Sequence, residues 1–470
     1  MAYTFTPIIF TGETQLTQAL GIDNADTIVG FHGMATNIGF VTRDLGRTFD
    51  TLSAQMTLNG VTSVASLTQL TGVNNAMVSV GFATINGVTH GLTFGIGGVG
   101  IPLTIPLDEP GTAFNQLLGI NDADDIAGYS SLDPTGATLQ LAYVRQGNFG
   151  TYTMLDNAAH TLVLPANVNS QAVGIDNAGD VVGFYMPSTT TSNGYILPKG
   201  GTLTTLQFPG SNFTQALGVN NKGQVSGFYQ DAAGNMHGFI WSQGNWTTVD
   251  VPGATNSVVN SINDNSHAAG FSVSGGVTTG FEVNLPFAQY LDTTNNQSWQ
   301  QTLSVYVGPV TGIDNEFVTL NPDNLNLTAT TPNVFLHTGP GQDAIKGFGG
   351  TNILDGGTGS NFLTNASGSD TDFVDARGAT KDIWSTLNSF VAGDSATLWG
   401  ITQADFTVPW GDNQGATGFT GLTAHIPVNG ITASLTLVGY TTADLNNGRL
   451  SVSFGTDAAS GSPFMFVHAT

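Results

Sequence analysis

The chain has 470 residues, no cysteine, and 9 Lys+Arg against 33 Asp+Glu, so its formal net charge is -24 at pH 7. A surface that binds nucleic acid or an anionic membrane needs a cluster of cations, and nine scattered ones exclude both partners. The lack of cysteine excludes disulfide frameworks, cysteine nucleophiles and thiolate zinc sites. No apolar run approaches the ~20 residues that span a bilayer, so we expect no membrane insertion.

The composition predicts an all-β chain that is rich in turns. The acids divide into 29 Asp and 4 Glu, and there are 62 Gly. Glu favours helices, whereas Asp and Gly favour turns. Aspartates in turns also bind hard cations, so calcium is the first partner that this composition suggests.

One phrase recurs six times in residues 1–286. In each copy a pair of mostly apolar residues precedes an Asn/Asp turn, and a short apolar or small stretch with a glycine follows, which is typical of a β-hairpin. The copies are QALGIDNADTIVGF (18–31), QLTGVNNAMVSVGF (69–82), QLLGINDADDIAGY (116–129), QAVGIDNAGDVVGF (171–184), QALGVNNKGQVSGF (215–228) and VVNSINDNSHAAGF (258–271). The second glycines lie 51, 47, 55, 44 and 43 residues apart, which indicates a repeat with variable loops.

Each copy continues into further strands. A third strand follows every hairpin, as in THGLTF (89–94), and a fourth follows most of them, as in NWTTVDVPGA (245–254). Four strands in a repeat of about 48 residues are typical of a β-propeller blade. The sixth copy lacks its fourth strand, and YTFTPIIFTG (3–12) has that strand's pattern. The sequence therefore predicts a six-bladed propeller over 1–286 that is closed by the N-terminal strand, an arrangement that hides sheet edges.

The tripeptide His237-Gly238-Phe239 lies on the third strand of the fifth repeat. With the hairpin that follows it, this segment resembles the extracellular HAF repeats, which are named for a His-Ala-Phe on that strand. The resemblance covers residues 1–286 and implies an extracellular location but no defined chemistry. We expect His237 to pack between blades rather than to act as a ligand or base.

Glycine-rich nonapeptides occupy residues 338–376, after a Thr- and Asn-rich stretch, 287–337, that predicts a β-structured connector. They run TGPGQDAIK (338–346), GFGGTNILD (347–355), GGTGSNFLT (356–364) and NASGSDTDFVD (365–375). They are variants of G-G-x-G-x-D-x-U-x, which predicts a short parallel β-roll of six-residue turns and three-residue strands. The inward apolar positions are Ile345, Leu354 and Leu363.

Calcium between successive turns would bind the sixth-position side chains and the turn carbonyls. Two of the four sixth positions are asparagine, which lowers the negative charge, so we expect one or two calcium sites. A glycine-rich solenoid that needs no metal is the alternative. The candidate ligands are Asp343, Asn352, Asp355, Asn361 and Asp370 through side chains, and Gly339, Gly341, Gly350, Gly357 and Gly359 through carbonyls.

The segment KDIWSTLNSFVAGDSATLWGI (381–401) follows, with Asp382, Ile383, Phe390, Gly393 and Asp394. Together with the nonapeptides it resembles RTX proteins of type I secretion systems, including the serralysin-like C-terminal domain. The resemblance spans about 339–401 and implies calcium binding, secretion, and a β-rich domain over 377–470 with an uncleaved export signal. It would account for an N-terminal segment, MAYTFTPIIF, without the pattern of a signal peptide. It implies no activity, because such modules accompany proteases, lipases, adhesins and surface-layer proteins alike.

The motifs do not favour an enzyme, although they leave the question open. TRDLGRTF (42–49) matches the Asp-box of sialidase blades once, but a turn is expected there in any blade. A sialidase also needs several arginines around its funnel. Asp122 and Asp176 belong to the repeated turn, which favours a structural role over that of a glycosidase pair. Neither HExxH nor G-x-S-x-G occurs.

The leading hypothesis is a secreted, calcium-binding structural or adhesive protein whose propeller is an interaction scaffold. Its partners would be calcium, extracellular polysaccharide, or copies of itself in a self-assembled layer or matrix. The alternative is a carbohydrate-active propeller, either a lectin or a glycoside hydrolase, that carries the roll as an export module.

Overall fold

The structure is a computed structural model that describes residues 3–12, 15–58, 61–96, 104–137, 139–147, 150–155, 164, 168–407 and 410–470. Strands dominate these residues, and one short helix is present among them. The chain forms two compact units, Tyr3–Leu285 and Pro286–Thr470. No helix in the described ranges is long and apolar enough to cross a membrane. The structure confirms the all-β fold class.

The first unit is built from four-stranded antiparallel sheets and one two-stranded hairpin. Its strands are β1 (Phe5–Ile8), β2 (Thr17–Ile22), β3 (Ile28–His32), β4 (Ile38–Thr42), β5 (Asp50–Leu52), β6 (Gln55–Leu58), β7 (Val61–Val64), β8 (Leu67–Val73), β9 (Val78–Ile85), β10 (Val88–Gly95), β11 (Thr104–Pro106), β12 (Phe114–Ile120), β13 (Ile126–Ser131), β14 (Leu141–Arg145), β15 (Tyr152–Met154), β16 (Asn169–Ile175), β17 (Val181–Ser188), β18 (Thr191–Leu197), β19 (Thr204–Leu206), β20 (Thr214–Val219), β21 (Gln224–Gln230), β22 (Met236–Ser242), β23 (Asn245–Thr248), β24 (Asn256–Ile262), β25 (His267–Ser274) and β26 (Val277–Asn284).

These strands form the six blades of a propeller, as the sequence predicted. Blades 1 to 5 are β2–β5, β8–β11, β12–β15, β16–β19 and β20–β23, and β6 pairs with β7 as a separate hairpin. Blade 6 takes β24, β25 and β26 from the end of the unit and β1 from its beginning. Phe5 lies opposite Val283, and Ile8 lies opposite Gly280. The N-terminal strand thus supplies the strand that the sixth repeat lacks.

The recurring phrase has the same backbone shape in every blade. Its two strands are shifted by one residue at a bulge, which lies between Ala19 and Gly21 in blade 1 and recurs at the same place in the others. The second glycine allows the strands to approach, because a Cβ on Gly30 would lie 1.9 Å from the carbonyl oxygen of Gln18. The first glycine allows neighbouring blades to approach, because a Cβ on Gly21 would lie 3.0 Å from the Cα of Gly72.

Each blade also buries one aromatic side chain of its third strand. These rings are exposed by 2 % or less and fill the space between sheets. They are Phe40, Phe94, Tyr143, Tyr195, Phe239 and Phe281. Fully buried aromatic rings of this kind carry much of the apolar stabilisation of a domain.

The second unit contains two large sheets. Its elements are β27 (Phe287–Asp292), β28 (Gln297–Thr302), β29 (Ser304–Val305), β30 (Asn315–Val318), β31 (Leu325–Ala329), β32 (Val334–His337), β33 (Ala344–Lys346), β34 (Ile353–Thr358), β35 (Phe362–Thr364), β36 (Thr371–Asp375), β37 (Ile383–Asn388), β38 (Ser395–Trp399), β39 (Gly411–Ala416), β40 (Phe419–Val428), β41 (Ile431–Val438), α1 (Thr442–Asn446), β42 (Leu450–Thr456) and β43 (Pro463–Ala469).

The middle of this unit is a parallel roll. Successive strands alternate between the sheets, so one sheet contains β31, β33, β35, β37 and β41 and the other contains β30, β32, β34, β36 and β38. In the nonapeptides β33 and β34 pair with the strands 18 residues on, as Ile345 does with Leu363, whereas β35 and β36 pair with strands 24 residues on. The predicted inward residues Ile345, Leu354 and Leu363 are buried in one core. Strands β27 to β32, which come from the stretch predicted as a connector, belong to the same two sheets.

Replacing Ile8 by Ala tests how far the propeller depends on its closing strand. The Ile8 side chain is fully buried in the core that joins β1 to blade 1, so we expect Ile8→Ala to lower the free energy of unfolding by about 2–5 kcal/mol. The neighbouring Ile9 is 48 % exposed, and Ile9→Ala should change it by no more than about 0.5 kcal/mol. Chemical denaturation of both variants measures the difference, and equal effects would argue against closure by β1.

Candidate functional site

The inner strands of all six blades line a central cavity of about 460 Å³. Because an inner strand runs along the cavity, successive inward residues of each phrase line it at successive levels. One level carries the glutamines Gln18, Gln69, Gln116, Gln171 and Gln215, and the next levels carry apolar residues such as Leu118 and Ile175. The other end carries the Asn/Asp turns. Among the described residues that line the cavity, none is Lys or Arg.

The Asn/Asp turns close a ring of six hydrogen bonds at that end. In each turn the backbone N–H of the second residue donates to the side-chain Oδ1 of the equivalent residue in the next blade, over 2.8–2.9 Å. The ring runs through Asn24, Asn75, Asp122, Asn177, Asn221 and Asp264 and returns to Asn24. The polar turns therefore tie each blade to both neighbours.

Two carboxylates, Asp122 and Asp264, lie in this ring three blades apart and so on opposite sides of the cavity. Each accepts two further amide bonds at its Oδ2 atom, over 2.8–2.9 Å, from the asparagines on either side. Burial raises the pKa of Asp122, but the bonds from Asn177 and Asn75 outweigh it and hold the pKa below its ordinary value. The order Asn-Asn-Asp occurs twice around the ring, so blades 1–3 and 4–6 repeat one arrangement.

The first residue of each turn shapes the turn itself. In blade 1, Oδ1 of Asp23 accepts the N–H groups of Ala25 at 2.9 Å and Thr27 at 2.8 Å. Where the residue is asparagine, its amide also crosses to the next blade, as Asn74 Nδ2 does to the carbonyl of Asn121 at 3.0 Å. Oδ1 of Asp23 thus has a structural role in the turn, whereas its Oδ2 is buried without a hydrogen-bond partner in the described residues.

The Asp-box match is also a turn. Oδ1 of Asp44 accepts the N–H of Thr48 at 2.8 Å and the hydroxyl of Thr42 at 3.0 Å. Arg43 pairs with Asp50 at 2.9 Å and does not line the cavity. No cluster of arginines of the sialidase kind faces the cavity in the described residues.

His237 ties the third strand of blade 5 to the fourth. Its Nδ1 lies 2.7 Å from Oδ2 of Asp250, whose Oδ1 accepts the N–H of Gly238 at 3.2 Å. Blade 2 repeats the arrangement with His90 and Asp108 at 2.6 Å. The tripeptide pattern singles out His237 and not His90, because the residue two positions after His90 is leucine, although both share a His-Gly pair and an Asp near the fourth strand.

In the roll, the sixth-position side chains form two ladders. Oδ1 of Asp343 accepts the N–H of Leu325 at 2.9 Å, and the N–H of Asp343 donates to Oδ1 of Asn361 at 3.1 Å. The second ladder joins Asn352 and Asp370, whose Oδ1 accepts the N–H of Asn352 at 2.9 Å. All four side chains are buried. The structure therefore sorts the candidate ligands into two separate columns, one per sheet.

The glycine carbonyls face the next coil of the roll. A Cβ on Gly357 would lie 2.5 Å from the carbonyl oxygen of Gly339, and one on Gly359 would lie 1.9 Å from that of Gly341. Gly350 and Gly357 also adopt positive φ, +67° and +62°, which favours glycine. The predicted carbonyl ligands of successive coils are therefore stacked.

Asp355 pairs with His337, whose Nδ1 lies 2.8 Å from Oδ2 of Asp355. This hydrogen bond raises the pKa of His337. In the described part of the chain, no three His, Asp or Glu side chains converge so as to hold a metal ion. A calcium ion here would therefore depend on carbonyl and asparagine oxygens beside single carboxylates.

Asp343 is the candidate whose surroundings fit such an ion. Its Oδ2 is buried, and no described residue donates to it in regular hydrogen-bond geometry, although the hydroxyl of Thr338 lies close enough to lower the pKa of the carboxyl. Burial raises the pKa of this carboxyl to about 6, because a charge without a counterion is costly to bury. Gly341, whose carbonyl faces the next coil, lies close by, since a Cβ on it would be 2.6 Å from Oδ1 of Asp343. These are hard oxygen donors of the kind that calcium prefers.

Comparisons with known proteins gave structural likenesses only. No protein-family model and no curated protein matched the chain. A protein of unknown function from Dyadobacter fermentans is 11% identical, with a TM-score of 0.38 over 60% of this chain and 98% of that one. The lectin SapL1 in complex with alpha methyl fucoside is 10% identical, with a TM-score of 0.35 over 58% and 93%. Trypanosoma rangeli sialidase is 9% identical, with a TM-score of 0.35 over 60% and 55%. The fold assignment rests on the strand topology described above.

Replacing Asp122 by Asn tests the ring of turns. The lowered pKa of Asp122 means that its contribution to stability is present above the unfolded-state pKa and is lost as the pH falls through the folded-state pKa. We expect Asp122→Asn to lower the free energy of unfolding at pH 7 by about 1 kcal/mol and to flatten its decline below about pH 4.

Asp50→Asn is the matched control, because it removes an exposed ion pair with Arg43 that is worth little. Urea denaturation between pH 3 and pH 7 gives both quantities. If the free energy of unfolding of Asp122→Asn fell as steeply at acid pH as that of the unaltered protein, this result would contradict a role for the carboxylate in the ring.

Proposed function

We propose that this chain is a secreted, calcium-binding extracellular protein in which a roll ordered by calcium accompanies a propeller that serves as the binding scaffold. The nonapeptides, the segment 381–401 and the repeats of 1–286 support secretion through their resemblance to RTX and HAF proteins. The partners of the scaffold would be extracellular polysaccharide or further copies of the chain. The carboxylates of the turns are engaged in hydrogen bonds, and this favours a binding scaffold over an enzyme.

The single observation that carries the calcium proposal is the buried Oδ2 of Asp343, which lacks a hydrogen bond of regular geometry in the described residues. A buried carboxylate oxygen without a partner destabilises the fold by about 1–3 kcal/mol or more, and a cation bound there would reverse that cost. The stacked carbonyls of Gly339 and Gly341 would supply further ligands. Asn361 and Asn352 donate and accept hydrogen bonds within their ladders, so they would contribute less.

Calcium would also make the folding of the roll depend on whether the chain is inside or outside the cell. The net charge of -24 opposes compaction through self-repulsion where calcium is scarce, as in a cytoplasm. Outside the cell, cations would neutralise the carboxylates, and their binding free energy would add to the folding free energy of the roll. Export in a loose state and folding after export would follow from the same chemistry.

Calcium titration of the full chain tests this proposal. We expect saturable binding of one or two ions to the turns, a rise in the melting temperature with calcium, and loss of one site in Asp343→Asn. Asp412→Asn, at an exposed position of the same unit, should bind calcium as the unaltered chain does. If calcium produced neither a heat of binding in calorimetry nor a rise in the melting temperature, the result would favour the metal-free solenoid.

The cavity of the propeller favours carbohydrate binding as a second function. Its volume of about 460 Å³ lies within the range of small-molecule sites. Glutamine amides line it beside the rings of Phe82, Phe184 and Phe228, and such groups hydrogen-bond hydroxyls and cover the apolar faces of sugars. With aspartates as its charged lining, the cavity suits neutral ligands better than acidic sugars. The engaged carboxylates favour a lectin over a hydrolase.

Filling the cavity tests this second function. We expect the protein to retain neutral glycans on an array, Leu118→Trp to lose them because Leu118 lines the cavity, and Leu132→Trp to keep them because Leu132 is 65 % exposed. Circular dichroism would verify that both variants fold. Equal retention by both would place any glycan site outside the cavity.

A further inference from the structure

Two buried oxygen atoms at the last coil of the nonapeptides lack hydrogen-bond partners in the described structure, namely Oδ1 of Asp372 and Oδ1 of Asn365. Asp372 is 0 % exposed and Asn365 is 4 % exposed. Native proteins rarely bury such atoms without a partner. Neither residue belongs to the calcium ligands that the sequence predicted.

These two side chains belong to one cluster. Nδ2 of Asn365 donates to Oδ2 of Asp372 and to Oδ2 of Asp394, both over 3.0 Å. Asp394 is also 0 % exposed, and it accepts the N–H groups of Asp370 and Val391, each at 2.8 Å. One amide thus bridges two fully buried carboxylates, and the unpartnered oxygens belong to the bridging amide and to one of those carboxylates.

The position of Asp372 in the roll is unusual for a carboxylate. It occupies the inward position of its nonapeptide, in register with Leu336 and Leu354 of the preceding coils and with Ala396 of the next. No Lys, Arg or His side chain in the described residues forms an ion pair with Asp372 or Asp394. The cluster therefore contains two buried carboxyl groups without a cationic side chain beside them.

We propose that Asp372, Asp394 and Asn365 form an interior site for a hard divalent cation, with calcium as the ion to test. All available donors are oxygens, which such ions prefer. An amide turned by 180° would place its oxygen between the two carboxylates, and amide orientation follows the surrounding network. A divalent ion would neutralise both carboxylates and would be bound by the oxygens that lack a hydrogen-bond partner. The site uses none of the turn ligands of the proposed function and stands independently of them.

Ion counting by native mass spectrometry of the full chain in calcium tests the proposal. We expect Asp372→Leu, which restores the apolar column, to bind one calcium ion fewer than the unaltered protein. Asp343→Asn, which alters only a turn ligand, should keep this ion, and a double variant should lose both. An unchanged count in Asp372→Leu, whatever Asp343→Asn shows, would overturn the interior site and indicate a buried water or proton instead.

Asn365→Asp decides the matter if Asp372→Leu does not fold. An added carboxylate ligand should tighten calcium binding about tenfold and enlarge the rise in melting temperature that calcium produces. If the cluster holds no cation, the same change adds a third buried charge and lowers the melting temperature equally with and without calcium. That second result would overturn the proposal.

Discussion

Closing six sheets into a ring requires neighbouring inner strands to approach at the level of their backbones, and the rest of the propeller depends on this constraint. Gly21 meets Gly72 across a blade boundary because neither carries a side chain there. The Asn/Asp turns then use the short distance for bonds that cross from blade to blade. The cavity is the consequence, since six inner strands held at fixed spacing leave an open centre lined by their own side chains.

Close approach of backbones at glycines also governs the roll. Its coils stack because glycines such as Gly359 let one coil rest on the carbonyls of the previous one. The sixth-position side chains then accept hydrogen bonds from N–H groups of the preceding coil. Asn and Asp can both accept these bonds, so either residue maintains the ladder. What distinguishes Asp343 from the asparagines is a second carboxylate oxygen, Oδ2, which is buried without a regular hydrogen bond in the described residues.

The aspartates of the chain therefore lie in different kinds of surroundings. In the propeller, Asp122 and Asp264 accept amide and backbone N–H groups and are stabilised without any ion. In the roll, Oδ2 of Asp343 and Oδ1 of Asp372 are buried without a regular hydrogen bond, as is Oδ2 of Asp23 in the propeller.

The sequence by itself determined the six blades, the strand taken from the N-terminus and the inward residues Ile345, Leu354 and Leu363, because repeat spacing and side-chain alternation are local signals. Tertiary structure alone decided that Asp122 and Asp264 face each other across a cavity and that Asn365 bridges Asp372 and Asp394. It also decided that strands β27 to β32 join the sheets of the roll. Such neighbours are distant in the chain, and their contacts depend on how the ring closes and on the 24-residue step from Asp370 to Asp394, which departs from the nine-residue repeat and is not encoded by a local pattern.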